Sequence, residues 1–170
     1  MTAARTLGDL APYMTSNVTA NNFSYSATQT FTGNSAILAS VVNNIAENIN
    51  TNSTACTGNI TVNLTGPAVT LFTANASTNW SFNFQGNAGI TANSLLATGQ
   101  SRTIALMVPQ GSTAYIPSNI RVDSATIAPK WQGGSAPTSG NANSTDVYVY
   151  TIIKTADSTY NIFASQTKFA

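Results

Sequence analysis

Histidine is absent from the 170 residues, and only six basic and five acidic side chains are present. Without histidine a Ser-His-Asp triad cannot be built, and the commonest general base and metal ligand is missing. A formal net charge of +1 provides no basic surface for nucleic acid and no polybasic segment for an anionic membrane. We therefore expect neither a nucleic-acid partner nor a membrane partner.

The few remaining reactive groups are also poorly placed for catalysis. The acids are scattered, so no pair has the spacing of a glycosidase or of a metal site. They are Asp9, Glu47, Asp123, Asp146 and Asp157. Gly133-Gly134 is followed by Ser135 rather than by the Gly-Lys-Ser/Thr of a phosphate-binding loop. The sequence predicts no catalytic residues, no metal ligands and no cofactor, and the protein is not expected to be an enzyme.

Cysteine and long apolar runs are scarce as well. Cys56 is alone, so an intrachain disulfide is impossible, and its simplest role is that of a small buried thiol. No stretch approaches the roughly 20 apolar residues needed to cross a bilayer. Residues 1–10 lack the continuous apolar run of a secretory signal peptide, so none is expected.

Small polar residues take the place of charges, with 26 Thr, 20 Asn and 18 Ser. Apolar residues alternate with them at a period of two, which is typical of half-buried strands. The clearest case is residues 79–85, where Trp80, Phe82 and Phe84 share one face. Residues 103–108 are instead a continuous apolar run, which predicts a central strand that is covered on both sides.

Further strands are predicted at residues 114–116 and 120–122, followed by a loop over 132–144. Residues 146–154 and 159–169 then form a predicted hairpin. Residues 35–50 remain ambiguous. Their apolar positions recur at helical spacing, whereas their many asparagines favour turns, so a helix and two short strands both stay open.

About ten short strands separated by turn signals predict an all-β fold. We expect an antiparallel β-sandwich of jelly-roll type with a short N-terminal arm. The arm is predicted over residues 1–20, and a single sandwich domain over residues 21–170.

The last third of the chain resembles a known family. Residues 131–141 have the pattern W-x-G-G-x-x-P-x-x-G-N, and D-x-Y at 146–148 and a Thr-Ile-Ile-Lys strand at 151–154 follow. Shorter matches occur upstream, such as Gln-Thr-Phe-Thr-Gly at 29–33 and Ala-Arg-Thr-Leu-Gly-Asp-Leu at 4–10. Together they resemble virion structural proteins, often labelled tail-fibre proteins, of tailed bacteriophages of the marine and cyanophage type.

The resemblance implies a non-enzymatic structural protein on the surface of the virion. A short chain without a shaft favours a capsid decoration protein, whose partners would be the major capsid protein or other virion proteins. The arm would pair with a neighbouring strand edge through Arg5, Leu7 and Leu10. The low charge suits a homo-oligomer, and a trimer is expected.

The alternative is a module of a tail fibre, spike or neck appendage that adheres to host polysaccharide. In that case Trp131 and Tyr148 are the candidate exposed aromatic contacts.

Overall fold

Strands make up about half of residues 46–170, the part of the chain that the computed structural model describes. Ten strands and one short helix lie within this range. They are β1 (Asn50–Asn52), β2 (Gly58–Asn63), β3 (Val69–Phe72), β4 (Trp80–Gln85), α1 (Ala92–Leu95), β5 (Ser101–Pro109), β6 (Pro117–Val122), β7 (Ala125–Thr126), β8 (Lys130–Trp131), β9 (Thr145–Ala156) and β10 (Thr159–Phe169). The described chain is therefore mostly β, which confirms the predicted fold class at that level.

Some predictions concern residues outside this range. The arm over residues 1–20, the domain boundary that follows it and residues 35–45 of the ambiguous segment all lie outside the described residues. Of the remainder of that segment, residues 46–49 have no regular structure, and β1 begins at Asn50.

The strands form a six-stranded sheet, in the order β1-β3-β5-β9-β10-β8, and a four-stranded sheet, in the order β2-β4-β6-β7. From β1 to β6, successive strands alternate between the two sheets, and each runs parallel to the strand two positions earlier. Asn50 thus pairs with Thr70, and Gly58 pairs with Trp80. This is the winding of a two-sided β-helix.

The predicted antiparallel pairing is wrong for most of the described strands. Five of their eight pairings are parallel, and three are antiparallel. A period of two cannot distinguish these cases, because strands of either direction turn alternate side chains to one face. A turn signal such as Gly66-Pro67 marks the end of a strand, but here the chain passes from one sheet to the other.

Two local predictions had different outcomes. The C-terminal hairpin is confirmed, since β9 and β10 pair antiparallel along their length, from Thr159 beside Ala156 to Phe169 beside Thr145. The prediction of a strand over residues 114–116 is wrong. That segment is a loop, and the strand begins only at Pro117.

Aromatic side chains join the two sheets. Trp80, Phe82 and Phe84 are fully buried on the inner face of β4. Across the core, Phe82 meets Tyr150 edge-on with ring centroids 5.9 Å apart, and Trp80 meets Tyr148 in the same way at 5.8 Å. Such pairs typically add about 0.5–1.5 kcal/mol each beyond the burial of apolar area. The two sheets therefore face each other in a sandwich-like arrangement.

Candidate binding cleft

The residues predicted to contact a partner or a ligand are the arm residues and two aromatic residues. Arg5, Leu7 and Leu10 lie outside the described residues. Trp131 is half-buried at the edge of the six-stranded sheet, so part of its ring remains accessible. Tyr148 is fully buried, which contradicts its predicted exposure.

Tyr148 is buried because of its position on β9. Asp146, Tyr148 and Tyr150 occupy inward positions, whereas the small apolar residues between them face outward. The Tyr148 hydroxyl accepts a hydrogen bond from Nε2 of Gln166 at 3.1 Å. Burial first, and then the charge of Asp146, raises the pKa of Tyr148 well above its ordinary value. Tyr148 is therefore part of the core rather than of a binding surface.

Trp131 borders a surface cleft with a volume of about 710 Å³. The cleft lies between the β6–β7 side of the four-stranded sheet and the edge strand β8 of the six-stranded sheet. Its apolar lining consists of Ile120, Ile127, Pro129, Trp131 and Pro137, and its polar lining includes Ser118, Asn119, Thr126 and Lys130. The rings of Trp131 and Tyr150 pack against each other in a T-shaped contact, with their centroids 6.0 Å apart.

An aromatic wall next to hydroxyl and amide groups can hold a neutral polar ligand such as a sugar. The ring covers the apolar face of the ligand, while the polar groups select its hydroxyls. Lys130 is the charged side chain that lines this cleft. Its Nζ lies 5.5 Å from the centroid of the Phe163 ring, in a cation–π contact. The lining therefore offers an apolar wall and hydroxyl and amide groups that suit such a ligand, and it contains no carboxylate.

The described carboxylates instead hold the fold together. Asp146 is fully buried and accepts hydrogen bonds from three donors on two loops. These are Nε2 of Gln110 at 3.1 Å, the backbone N–H of Asn141 at 3.0 Å and Nδ2 of Asn141 at 2.6 Å. The Gln110 side chain also makes two hydrogen bonds with the backbone of Tyr115: its Nε2 donates to the carbonyl, and its Oε1 accepts from the N–H. We call Gln110, Asn141 and Asp146 the buried polar cluster.

Asp123 has a separate structural role at the start of α1. Its two carboxylate oxygens accept from the backbone N–H groups of Ala92 at 2.7 Å and Asn93 at 3.0 Å. The Asn93 side chain in turn links to the β9–β10 turn, donating to Asp157 and accepting from the N–H of Ser158. Asp123 and Asp146 share no hydrogen-bond partner, so the fold does not assemble them into a carboxylate pair.

Lys154 and Cys56 are the other buried reactive side chains in the described range. The Nζ of Lys154 donates to the backbone oxygen of Asn93 at 2.7 Å, which fixes α1 against β9. Burial raises the pKa of the Cys56 thiol to about 12. The thiol therefore stays protonated at neutral pH and is a poor nucleophile.

Within residues 46–170, no group of three or more Cys, Asp or Glu side chains is arranged to hold a metal ion. No helix among residues 46–170 has the length and apolar character needed to cross a membrane. Comparisons with protein-family models, curated proteins and solved structures found no match to this chain. The resemblance to phage virion proteins therefore remains a prediction from sequence motifs.

Sequence reasoning found Trp131 but missed the residues around it and the buried polar cluster. Asp146 shares the inward parity of Tyr148, Tyr150 and Ile152 on β9, but the sequence does not show which parity faces inward, because both contain apolar residues. A carboxylate at such a position must be buried with partners. The identity of those partners could not be found from the sequence, since Gln110 lies 36 residues away in the chain.

Proposed function

We propose that this protein is a non-enzymatic structural protein of a tailed-phage virion, located on the particle surface as a capsid decoration protein. Its partners would be the major capsid protein or other virion proteins, and it would assemble as a homo-oligomer, with a trimer expected. The observation that carries the proposal is that the described motif residues between 131 and 154, such as Trp131, Asn141 and Asp146, are engaged in contacts that build the fold.

The motif residues illustrate this point. Trp131 packs on Tyr150, and Asn141 holds the buried carboxylate of Asp146. Gly140 of the same motif is required by space, since a Cβ there would overlap the backbone oxygen of Tyr115. Motif residues that attach loops to the core indicate a common fold. A common fold is the feature that members of a structural protein family have in common.

The placement of the acids supports a non-enzymatic role. Asp123, Asp146 and Asp157 each accept hydrogen bonds from backbone or amide donors. Glu47 likewise accepts from the N–H of Ala68, at 3.3 Å. A general acid or base needs a carboxyl group free to reach a substrate. The described acids are engaged in the fold instead.

The proposal includes a refinement of the architecture. We infer a two-sheet sandwich whose strands β1 to β6 are wound as a short β-helix, in place of a jelly roll. Parallel partners such as Ile60, Phe82 and Ile120 stack one above the other along the inner face of the four-stranded sheet. A jelly roll would join antiparallel neighbours across that face.

A second candidate is the tail-fibre, spike or neck module that binds host polysaccharide. Two observations favour it, namely the Trp131 cleft and the β-helical winding, which can be extended into a shaft. Purified protein would then bind host cells and block infection. Trp131→Ala should abolish binding if circular dichroism shows that the variant is folded, and Lys168→Ala, which is not among the lining residues, should not.

The copy number per purified particle separates the two candidates. We would measure it by quantitative mass spectrometry against the major capsid protein. A ratio of the same order as the capsid protein supports decoration, whereas a count equivalent to a few trimers supports an appendage. Absence from purified particles would contradict both. For decoration, the double variant Arg5→Ala/Leu7→Ala should lower incorporation, and unchanged incorporation would remove the anchoring role of the arm.

A further inference from the structure

The six-stranded sheet has an apolar outer face. Two rows of outward side chains cross its middle strands in register, Leu71–Met107–Val147 and Val69–Ala105–Val149. All six are only half-buried. We call these two rows the apolar face. A sheet with one face in solvent normally alternates apolar inward and polar outward residues, so two adjacent apolar rows on the outside are unusual.

The borders of the apolar face differ from its centre. Thr51 and Thr167 end the first row, and Ser165 ends the second. Phe163, which is 48% exposed, lies one row further along β10, and Lys130 at the sheet edge sits over its ring. An uncharged centre with a rim of hydroxyl groups is the usual anatomy of a contact surface between proteins.

We propose that the apolar face is the surface through which two copies of this chain associate. Its two rows contain no charged residue, so a second copy of the same face can be brought against it without burying an unpaired charge. A partner with a charged surface would lose hydration there with nothing to compensate it. Polysaccharide would find few hydrogen-bond donors among valine, leucine, methionine and alanine side chains.

The size of the face fits this occupant. The two apolar rows alone, on three strands about 4.8 Å apart and with the rows about 6.7 Å apart, cover about 200 Å², and the surface that includes the rim, on five strands and three rows, covers about 500 Å². Two such surfaces in contact, each with its rim, would bury about 1,000 Å² in total, which is the lower limit for a specific interface. The inference rests on the homo-oligomer part of the proposed function, in which it specifies a contact between two copies in place of the expected trimer, but it does not depend on the location of the protein in a virion.

The test is the molar mass of the purified full-length chain in solution, by size-exclusion chromatography with light scattering over a concentration series. Met107→Lys and Leu71→Lys place a charge on two different strands of the apolar face. Ser81→Lys is the matched control, because it adds the same charge to the outer face of the other sheet. Circular dichroism checks that each variant is folded.

We expect wild type and Ser81→Lys to be larger than the 17.7 kDa of one chain. Each folded face variant should dissociate to a monomer, with association weakened at least 100-fold. A monomeric wild type would overturn the proposal, and so would an oligomer that survives both face substitutions. The copy number in particles is measured separately, so the failure of one proposal would be distinguishable from the failure of the other.

Discussion

The two sheets turn very different surfaces outward. The outer face of the four-stranded sheet carries in-register rows of amides and hydroxyls, such as Asn59–Ser81–Asn119, whereas the six-stranded sheet presents the apolar face. Both sheets bury the same kind of aromatic and aliphatic side chains inward. We propose that this difference distinguishes a surface that faces water from one that contacts a second copy of the chain.

We expect the largest difference in the free energy of unfolding between substitutions on the inner and the outer face of β4. Phe84→Ala removes a fully buried ring that packs 5.2 Å from Tyr150, so it should lower the free energy of unfolding by about 3–5 kcal/mol. Ser81→Ala, on the outer face of the same strand, should change it by less than about 0.5 kcal/mol. Urea denaturation measures both. Similar losses for the two variants would contradict the assignment of faces.

The second-largest loss of stability is expected when the buried polar cluster is disrupted. Asp146→Asn replaces an acceptor oxygen by an N–H group that faces donors from Gln110 and Asn141. The free energy of unfolding should fall by about 2 kcal/mol. Asp157→Asn, at an exposed turn, is the control and should cost less than about 0.5 kcal/mol. If both variants unfold at the same urea concentration, the cluster does not stabilise the fold.

A smaller and gradual loss of folding stability is expected at alkaline pH. Burial raises the pKa of Cys56 to about 12, and burial together with the charges of Asp123 and Asp157 raises that of Tyr160 to about 12. The pKa values of Tyr148 and Tyr150 are also raised, chiefly by burial. Because the folded state holds these protons more tightly, their stabilising contribution is complete below about pH 9 and is lost as the pH rises towards 12.

Urea midpoints and tyrosinate absorbance, measured together from pH 8 to pH 12, check this. The midpoint should fall steadily above pH 9, and of the six tyrosines at least Tyr148 and Tyr150 should ionise only with unfolding. Ionisation of all six near pH 10, with an unchanged urea midpoint, would contradict the burial of these phenols.

Sequence patterns predicted local strand structure better than they predicted how the strands combine. The alternation around Trp80, Phe82 and Phe84 fixed both a strand and its inner face, because one parity was aromatic and the other polar. On β9 both parities are apolar, so the burial of Tyr148 could not be deduced from the pattern. Strand direction was also hidden, since parallel and antiparallel strands bury alternate residues in the same way.

The continuous apolar run at residues 103–108 was the most informative single signal. It predicted a strand covered on both sides. The core covers Ile104, Leu106 and Val108, while Ala105 and Met107 remain half-buried on the apolar face. The central position of this strand is confirmed, whereas the described residues show a cover on one side only, and the cover on the other side stays a prediction.

Spin labels on the two outer faces test the central claim most directly. Met107→Cys and Ser81→Cys can each be labelled in the native state, because the buried thiol of Cys56 stays protonated and unreactive. If two copies meet through the apolar face, their sheets lie about 10 Å apart, and labels at position 107 should be immobilised and within about 20 Å of each other. Labels at position 81 should remain mobile and magnetically isolated. Equal mobility at both positions, without dipolar coupling at position 107, would contradict the account.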